Sequence, residues 1–116
     1  RSAQRELSAR MAGAIAADDP TLVRSLLEAG VDPNGEVPVY AAGSNRMGES
    51  RMRFLTFSAQ RGSAHAARAL IEAGADVHAR DALWRVSSLD VAERIGDEET
   101  LQVFREAARS RVNITP

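Results

Sequence analysis

Leu70-Ile71-Glu72-Ala73-Gly74-Ala75-Asp76-Val77-His78-Ala79-Arg80-Asp81 has a near copy upstream, Leu26-Leu27-Glu28-Ala29-Gly30-Val31-Asp32-Pro33-Asn34. Each copy reads as the last turn of a helix, a stop, and a reach into an extended loop. The apolar pairs, Leu26–Leu27 and Leu70–Ile71, pack inward. Gly30 and Gly74 stand just past the helix end, where φ > 0 costs a glycine least. Asp32 and Asp76 then open a turn, because a short carboxylate accepts from nearby backbone N–H groups. A helix end used twice points to a repeat.

The copies can be put in register. Twelve residues before Gly74 stands Gly62, and twelve before Gly30 stands Asp18. Aspartate tolerates the left-handed conformation better than most non-glycine residues. A third unit follows in Ser87-Ser88-Leu89-Asp90-Val91-Ala92-Glu93-Arg94-Ile95-Gly96. Gly62 and Gly96 are 34 residues apart, while Asp18 and Gly62 are 44 apart. The first spacing is close to an ankyrin period of ~33 residues, and the second exceeds it by about ten.

On these residues the chain, from about residue 8 to residue 108, resembles the ankyrin repeat family. Leu-Leu-Glu-Ala-Gly-Val-Asp-Pro-Asn and Leu-Ile-Glu-Ala-Gly-Ala-Asp-Val-His match that family's second-helix end and loop. Its Thr-Pro-Leu-His helix start is poorly kept: Ala9-Arg10-Met11-Ala12, Arg53-Phe54-Leu55-Thr56 and Ser87-Ser88-Leu89-Asp90 stand there, and only Met11, Leu55 and Leu89 preserve the leucine-like position. The resemblance implies an all-α fold, an ankyrin-like α-solenoid of stacked helix pairs with β-hairpin or loop fingers. Residues 1–116 form one domain: repeat 1 at about 8–34, an insertion at 35–52, repeat 2 at about 53–81 and repeat 3 at about 87–109. Helices are expected at 8–17, 20–28, 54–61, 64–73, 88–95 and 98–109.

The composition agrees with close stacking. The chain is 44% hydrophobic but only 4% aromatic, so its core is expected to be Ala, Leu, Val and Ile. A net charge of −1 argues against a general nucleic-acid binder. There are no cysteines, which removes cysteine-based metal sites. No apolar run approaches the ~20 residues of a membrane span. Every one of the fifteen basic residues is arginine. That fits a GC-rich bacterial genome, or selection against lysine in a protein exposed to a host ubiquitin system. The expected compartment is the cytoplasm, or the periplasm or exterior if a signal peptide preceded Arg1.

Local signals place the elements. Residues Ser2 to Ala17 favour helix, with Leu7, Met11, Ala14 and Ile15 on one apolar stripe. Asp19 is a cap with Pro20 at the first helical position, and Leu22, Val23, Leu26 and Leu27 are the buried face that follows. Gly35 to Met52 breaks the pattern; Val37-Pro38-Val39-Tyr40 reads as extended and Gly43-Ser44-Asn45 as a turn, so a lengthened hairpin finger or ordered loop is expected. Leu55, Phe57, Ala59, Ala66, Ala67, Leu70 and Ile71 are the central core. Ser87 and Asp90 form a capping box. Asp97, Glu98 and Glu99 fall in the first turn of the last helix, where negative charge is favoured, and Val112 to Pro116 should fray.

Catalytic signatures are missing: there is no phosphate-binding Gly-x-x-x-x-Gly-Lys, no Gly-x-Ser-x-Gly and no His-Glu-x-x-His. His65 reads as a solvated helix residue. His78 occupies the family's loop asparagine position. Asp76, His78 and Asp81 share one turn, but three ligands on one flexible turn make a weak metal site, and neither metal nor cofactor is expected. Asp90 and Glu93 share a helix face for capping rather than acid–base work.

The resemblance implies protein binding along the concave side, through finger tips and first-helix surfaces. Carried over position by position, that side holds Gln60 and Arg61 before Gly62, Arg94 and Ile95 before Gly96, Arg80 after Ala79, and Met52 and Val86 just before helix starts. Tyr40, Arg46, Met47, Trp84 and Arg85 join them if the insertions point the same way. Arginine, tyrosine and tryptophan are the types enriched in binding hot spots. The expected function is non-catalytic binding of a protein with an acidic surface, with no nucleic acid and no membrane, by a chain that is a monomer in isolation. A bacterial immunity-like module that neutralises or protects its partner is the leading biological role, with a secreted effector engaging a host protein as the alternative. An enzyme or a metal-binding protein is the rival class.

Overall fold

The computed structural model describes residues 2–39, 50–80 and 85–114. The chain is mostly helical. In order it forms α1 (Ser2–Ala16), α2 (Pro20–Glu28), β1 (Glu36–Val39), β2 (Ser50–Arg53), α3 (Phe54–Arg61), α4 (Ala64–Glu72), α5 (Ser88–Ile95) and α6 (Glu98–Ile114). The helix starts and ends lie close to those expected, apart from the two termini. The α1 helix begins at Ser2, ahead of the paired-helix start at 8 but where the helix-favouring stretch from Ser2 to Ala17 places it. The α6 helix continues to Ile114, so Val112 to Ile114 are helical rather than frayed; no glycine or proline interrupts the sequence before Pro116.

The helices pack as three antiparallel pairs, α1–α2, α3–α4 and α5–α6, set side by side. One row is α1–α3–α5 and the other is α2–α4–α6. The turns within the pairs explain why each pair closes so tightly. Gly62 and Gly96 end α3 and α5 with φ of 70° and 76°, and Asp18 takes the same left-handed turn after α1 with φ of 52°. At the other ends, Gly30 and Gly74 follow α2 and α4 with φ of 110° and 107°. Asp32 and Asp76 then accept from the Asn34 and His78 N–H groups, both at 2.9 Å, making the two loops alike.

The core runs through all three pairs. Met11, Ile15, Val23, Phe54, Ala59, Ala66, Ala67, Leu70, Ala92 and Phe104 are buried within it, so two of the few aromatic side chains and a methionine join the expected aliphatic core. Phe57 and Ile71 lie at its edge, partly covered. Leu22 corrects the expectation for α2: it is 41% exposed. The buried stripe of that helix is set by Val23 and Leu26, spaced i, i+3, and Leu22 falls on its flank.

The insertion is partly a hairpin. β1 and β2 pair antiparallel with Val37 opposite Met52 and Glu36 opposite Arg53. Strand side chains alternate between faces, so one register sends both Val37 and Met52 into the core, each 2% exposed. The hairpin base feeds α3 directly: the Phe54 N–H donates to the Gly35 carbonyl at 2.9 Å. The second loop closes with an Arg80–Ser87 bridge.

Candidate functional surface

The start of α5 carries its own cap. Ser87 Oγ accepts from the Asp90 N–H at 3.1 Å, and the Ser87 N–H donates to Asp90 Oδ2 at 3.2 Å. Hydrogen bonding to the carboxyl from Ser87, its backbone first and its side chain second, holds Asp90 below its ordinary range. Asp97 does the equivalent for α6. It is the residue before the helix, not in its first turn, and Oδ2 accepts from the Thr100 hydroxyl at 2.7 Å and the Thr100 N–H at 3.1 Å. Those two bonds, hydroxyl first, lower the Asp97 carboxyl. Glu93 lies 3.9 Å from Arg105. Asp90, Asp97 and Glu93, near the ends of α5, are therefore engaged with other groups.

Arg61 and Arg94 occupy the last turns of neighbouring helices α3 and α5, and both are exposed. The two helices run the same way. Both start at the loop end, where Arg53 Nε donates to the Arg80 carbonyl at 3.5 Å and Arg80 is bridged to Ser87. Both finish together, since a Cβ on Gly62 would lie 3.8 Å from the Asp97 carboxyl carbon. Among the described residues neither Arg61 nor Arg94 has an ion-pair partner. Gln60 is exposed beside Arg61, and Ile95 beside Arg94 is 51% exposed.

The expected surface thus divides into parts. Gln60, Arg61, Arg94 and Ile95 lie at the C-terminal ends of the neighbouring helices α3 and α5. Arg80, Arg85 and Val86 lie at the opposite end, one helix length away, or roughly 12 Å for the eight residues of α3. Arg80 is engaged within its own loop, donating from Nη1 to the Arg85 carbonyl at 3.0 Å. Arg85 itself takes a left-handed φ of 56° and is exposed, while Val86 is half-buried. Met52 is removed from the surface altogether; its place opposite Val37 buries it, and only the hairpin register reveals that. Tyr40, Arg46, Met47 and Trp84 lie outside the described residues, as does Asp81.

No protein-family model matches this chain, and no curated protein matches it.

The second row is charged differently. Arg24 reaches Glu72 at 3.5 Å between α2 and α4, and His65 reaches Glu99 at 3.6 Å between α4 and α6. Both pairs are exposed and worth at most about 1 kcal/mol each. Arg24, Leu27, Glu28, Ala69, Glu72 and Ala73 border an open groove between α2 and α4. His78 is exposed, and its N–H rather than its ring is used in the Asp76 turn. Among the described residues no group of three or more His, Cys, Asp and Glu side chains comes together, and no helix is long and apolar enough to cross a membrane.

Sequence reasoning missed Asn34. Its Oδ1 accepts from the Asp76 N–H at 3.0 Å and its Nδ2 donates to the Gly74 carbonyl at 3.4 Å, joining the two loops. The signal was present: Asn34 occupies in the first loop the position that His78 fills in the second.

Proposed function

We propose that this chain is an ankyrin-type α-solenoid whose α1–α3–α5 row binds a partner protein without catalysis. The partner presents an acidic surface with an apolar contact point. The observation that carries this reading is the pair of exposed arginines, Arg61 and Arg94, in the last turns of the neighbouring helices α3 and α5, with the exposed Ile95 next to Arg94 in the chain. A guanidinium with no ion-pair partner among the described residues is available for a carboxylate, and its fork suits bidentate pairing. Three helix pairs set side by side, with glycine or aspartate at equivalent turns, support the repeat reading. An immunity-like role, in which the module neutralises or protects its partner, suits its size. The absence of lysine favours, as a second reading, a secreted effector that engages a host protein.

The test is capture of the partner from the native source, followed by binding kinetics with the purified pair. Charge at the rim of an interface acts mainly on association, and its effect falls with salt. Arg61→Glu with Arg94→Glu should slow association by roughly tenfold or more at low salt and flatten its salt dependence. Glu28→Arg on α2 should leave association within about twofold, as a charge outside the docking face. Loss of binding in the α2 variant, with wild-type kinetics in the α3–α5 variant, would put the docking face on the other row.

A further inference from the structure

Two packing requirements fix the pair Asn34-Gly35. Asn34 is held by its amide, through the bonds to Asp76 and Gly74, and its own carbonyl accepts from Arg53 Nη1 at 3.3 Å. Gly35 is fixed by space. A Cβ there would lie 2.8 Å from Phe54 Cε2 and 3.0 Å from the Asp32 carbonyl oxygen, and Phe54 is buried. The fold therefore uses a side-chain amide at 34 and has no room for a side chain at 35. That combination also makes an asparagine chemically labile, because no Cβ hinders attack by the next residue's backbone nitrogen.

We propose that Asn34 is a deamidation site, gated by the contact between the first and second loops, and that the reaction breaks that contact. The Gly35 nitrogen bonds to Asn34 Cγ and gives up its proton. The Cγ–Nδ2 bond breaks, and the amide nitrogen leaves as ammonia with that proton. Water then opens the five-membered imide at either carbonyl, giving aspartate or its isomer with the main chain routed through the side chain. Water is the only co-reactant.

In the closed loop both reacting groups are held. The Gly35 N–H donates to the Asp32 carbonyl at 2.9 Å, and the Asn34 amide is tied to the second loop. Cyclisation needs the loop to open, an event that requires less free energy than global unfolding. The product keeps it open. A carboxylate oxygen replaces Nδ2 and faces the Gly74 carbonyl, so a donor–acceptor pair becomes two acceptors. The isomer also lengthens the main chain beside Gly35 and displaces it from under Phe54. Each reacted molecule thus carries a permanent record of an opening between the first and second pairs.

The experiment is peptide mapping by mass spectrometry of the full chain at physiological temperature and mildly alkaline pH. It compares native protein, protein unfolded in urea, and native Arg53→Gln. Asn113, which precedes the hindering Ile114, is the reference in the same digest. Conversion at Asn34 is expected to be roughly tenfold or more slower in the native state than in urea. Arg53→Gln should raise the native rate severalfold; if that variant does not fold, wild type in sub-denaturing urea replaces it and should show the same rise. Asn34→Asp should melt below wild type. Equal rates in native and unfolded protein, no conversion in either, no rise on loosening the loop, or an unchanged melting point for Asn34→Asp would each overturn the proposal.

Discussion

Asp18 Oδ1 accepts a hydrogen bond from the Ala66 N–H at 2.8 Å, across the boundary between the first and second helix pairs. Ala66 is the third residue of α4, so one of that helix's unpaired first-turn amides is satisfied by a residue 48 positions upstream. The exchange is mutual. Ser63, at the α4 cap position, makes no cap bond of its own and instead donates Oγ to the Ile15 carbonyl at 2.6 Å.

Asp18 therefore does two things, and substitutions separate them. Asp18→Asn should be nearly neutral, since it keeps an acceptor and tolerates φ > 0. Asp18→Gly keeps the turn and loses the bond to the Ala66 amide, at a cost of about 0.5–1.5 kcal/mol. Asp18→Ala loses both, adding roughly 1–2 kcal/mol of left-handed strain. Urea denaturation midpoints should fall in that order, and an alanine variant as stable as the glycine variant would contradict it.

Leu70 and Leu22 form a second contrast. Leu70 is fully buried between the pairs, so Leu70→Ala should cost ~2–5 kcal/mol through lost transfer and a residual cavity. Leu22→Ala should shift stability by less than about 0.5 kcal/mol. Thermal melts of the two variants read the difference directly.

Gly35→Ala should cost about 1–3 kcal/mol, because the added methyl meets Phe54 and the Asp32 carbonyl at once. Phe54→Leu in the same chain should recover part of that loss, by removing the ring edge that the methyl strikes. A double-mutant cycle by chemical denaturation measures the coupling, and additive losses would place the clash elsewhere.

Acid should weaken the fold through two caps. The Asp90 and Asp97 carboxyls are held below their ordinary range by Ser87 and Thr100, so the folded chain binds fewer protons there than the unfolded chain. Their contribution is complete above the unfolded carboxylate range, about pH 4, and is lost as pH falls through the lower folded values. Stability should therefore be flat with respect to these groups near neutrality and decline in acid. Asp90→Asn with Asp97→Asn should be less stable at neutral pH and show a shallower acid decline in urea titrations across pH.

Much of the frame was legible because it depends on short-range backbone chemistry. Gly30 and Gly74 mark helix ends, Asp32 and Asp76 mark turns, and Ser87 with Asp90 marks a capping box within four residues of chain. Even the left-handed Asp18 could be placed by alignment with Gly62. Leu22 and Met52 were misplaced for a different reason. Which of two adjacent apolar residues faces inward depends on what the element packs against, and Met52 required the pairing with Val37. The places of Arg61 and Arg94 in the last turns of α3 and α5 followed from register, whereas the separate position of Arg80 depended on which end of α3 the second loop meets. The bonds from Asp18 to Ala66 and from Asn34 to Asp76 join residues far apart in sequence, and no local pattern encodes them.

The Asp18 and Asn34 bonds share a direction: in each, an earlier side chain receives a later backbone amide, that of Ala66 or Asp76. Shortening the chain from its two ends is therefore not equivalent. Removing the last pair leaves Asp18 and Asn34 with the partners they have now. Removing the first pair and its loop strips the acceptors from amides that stay behind, one of them on a residue with no exposed surface. The same asymmetry suits synthesis, because each anchoring side chain has left the ribosome before the amide it will hold.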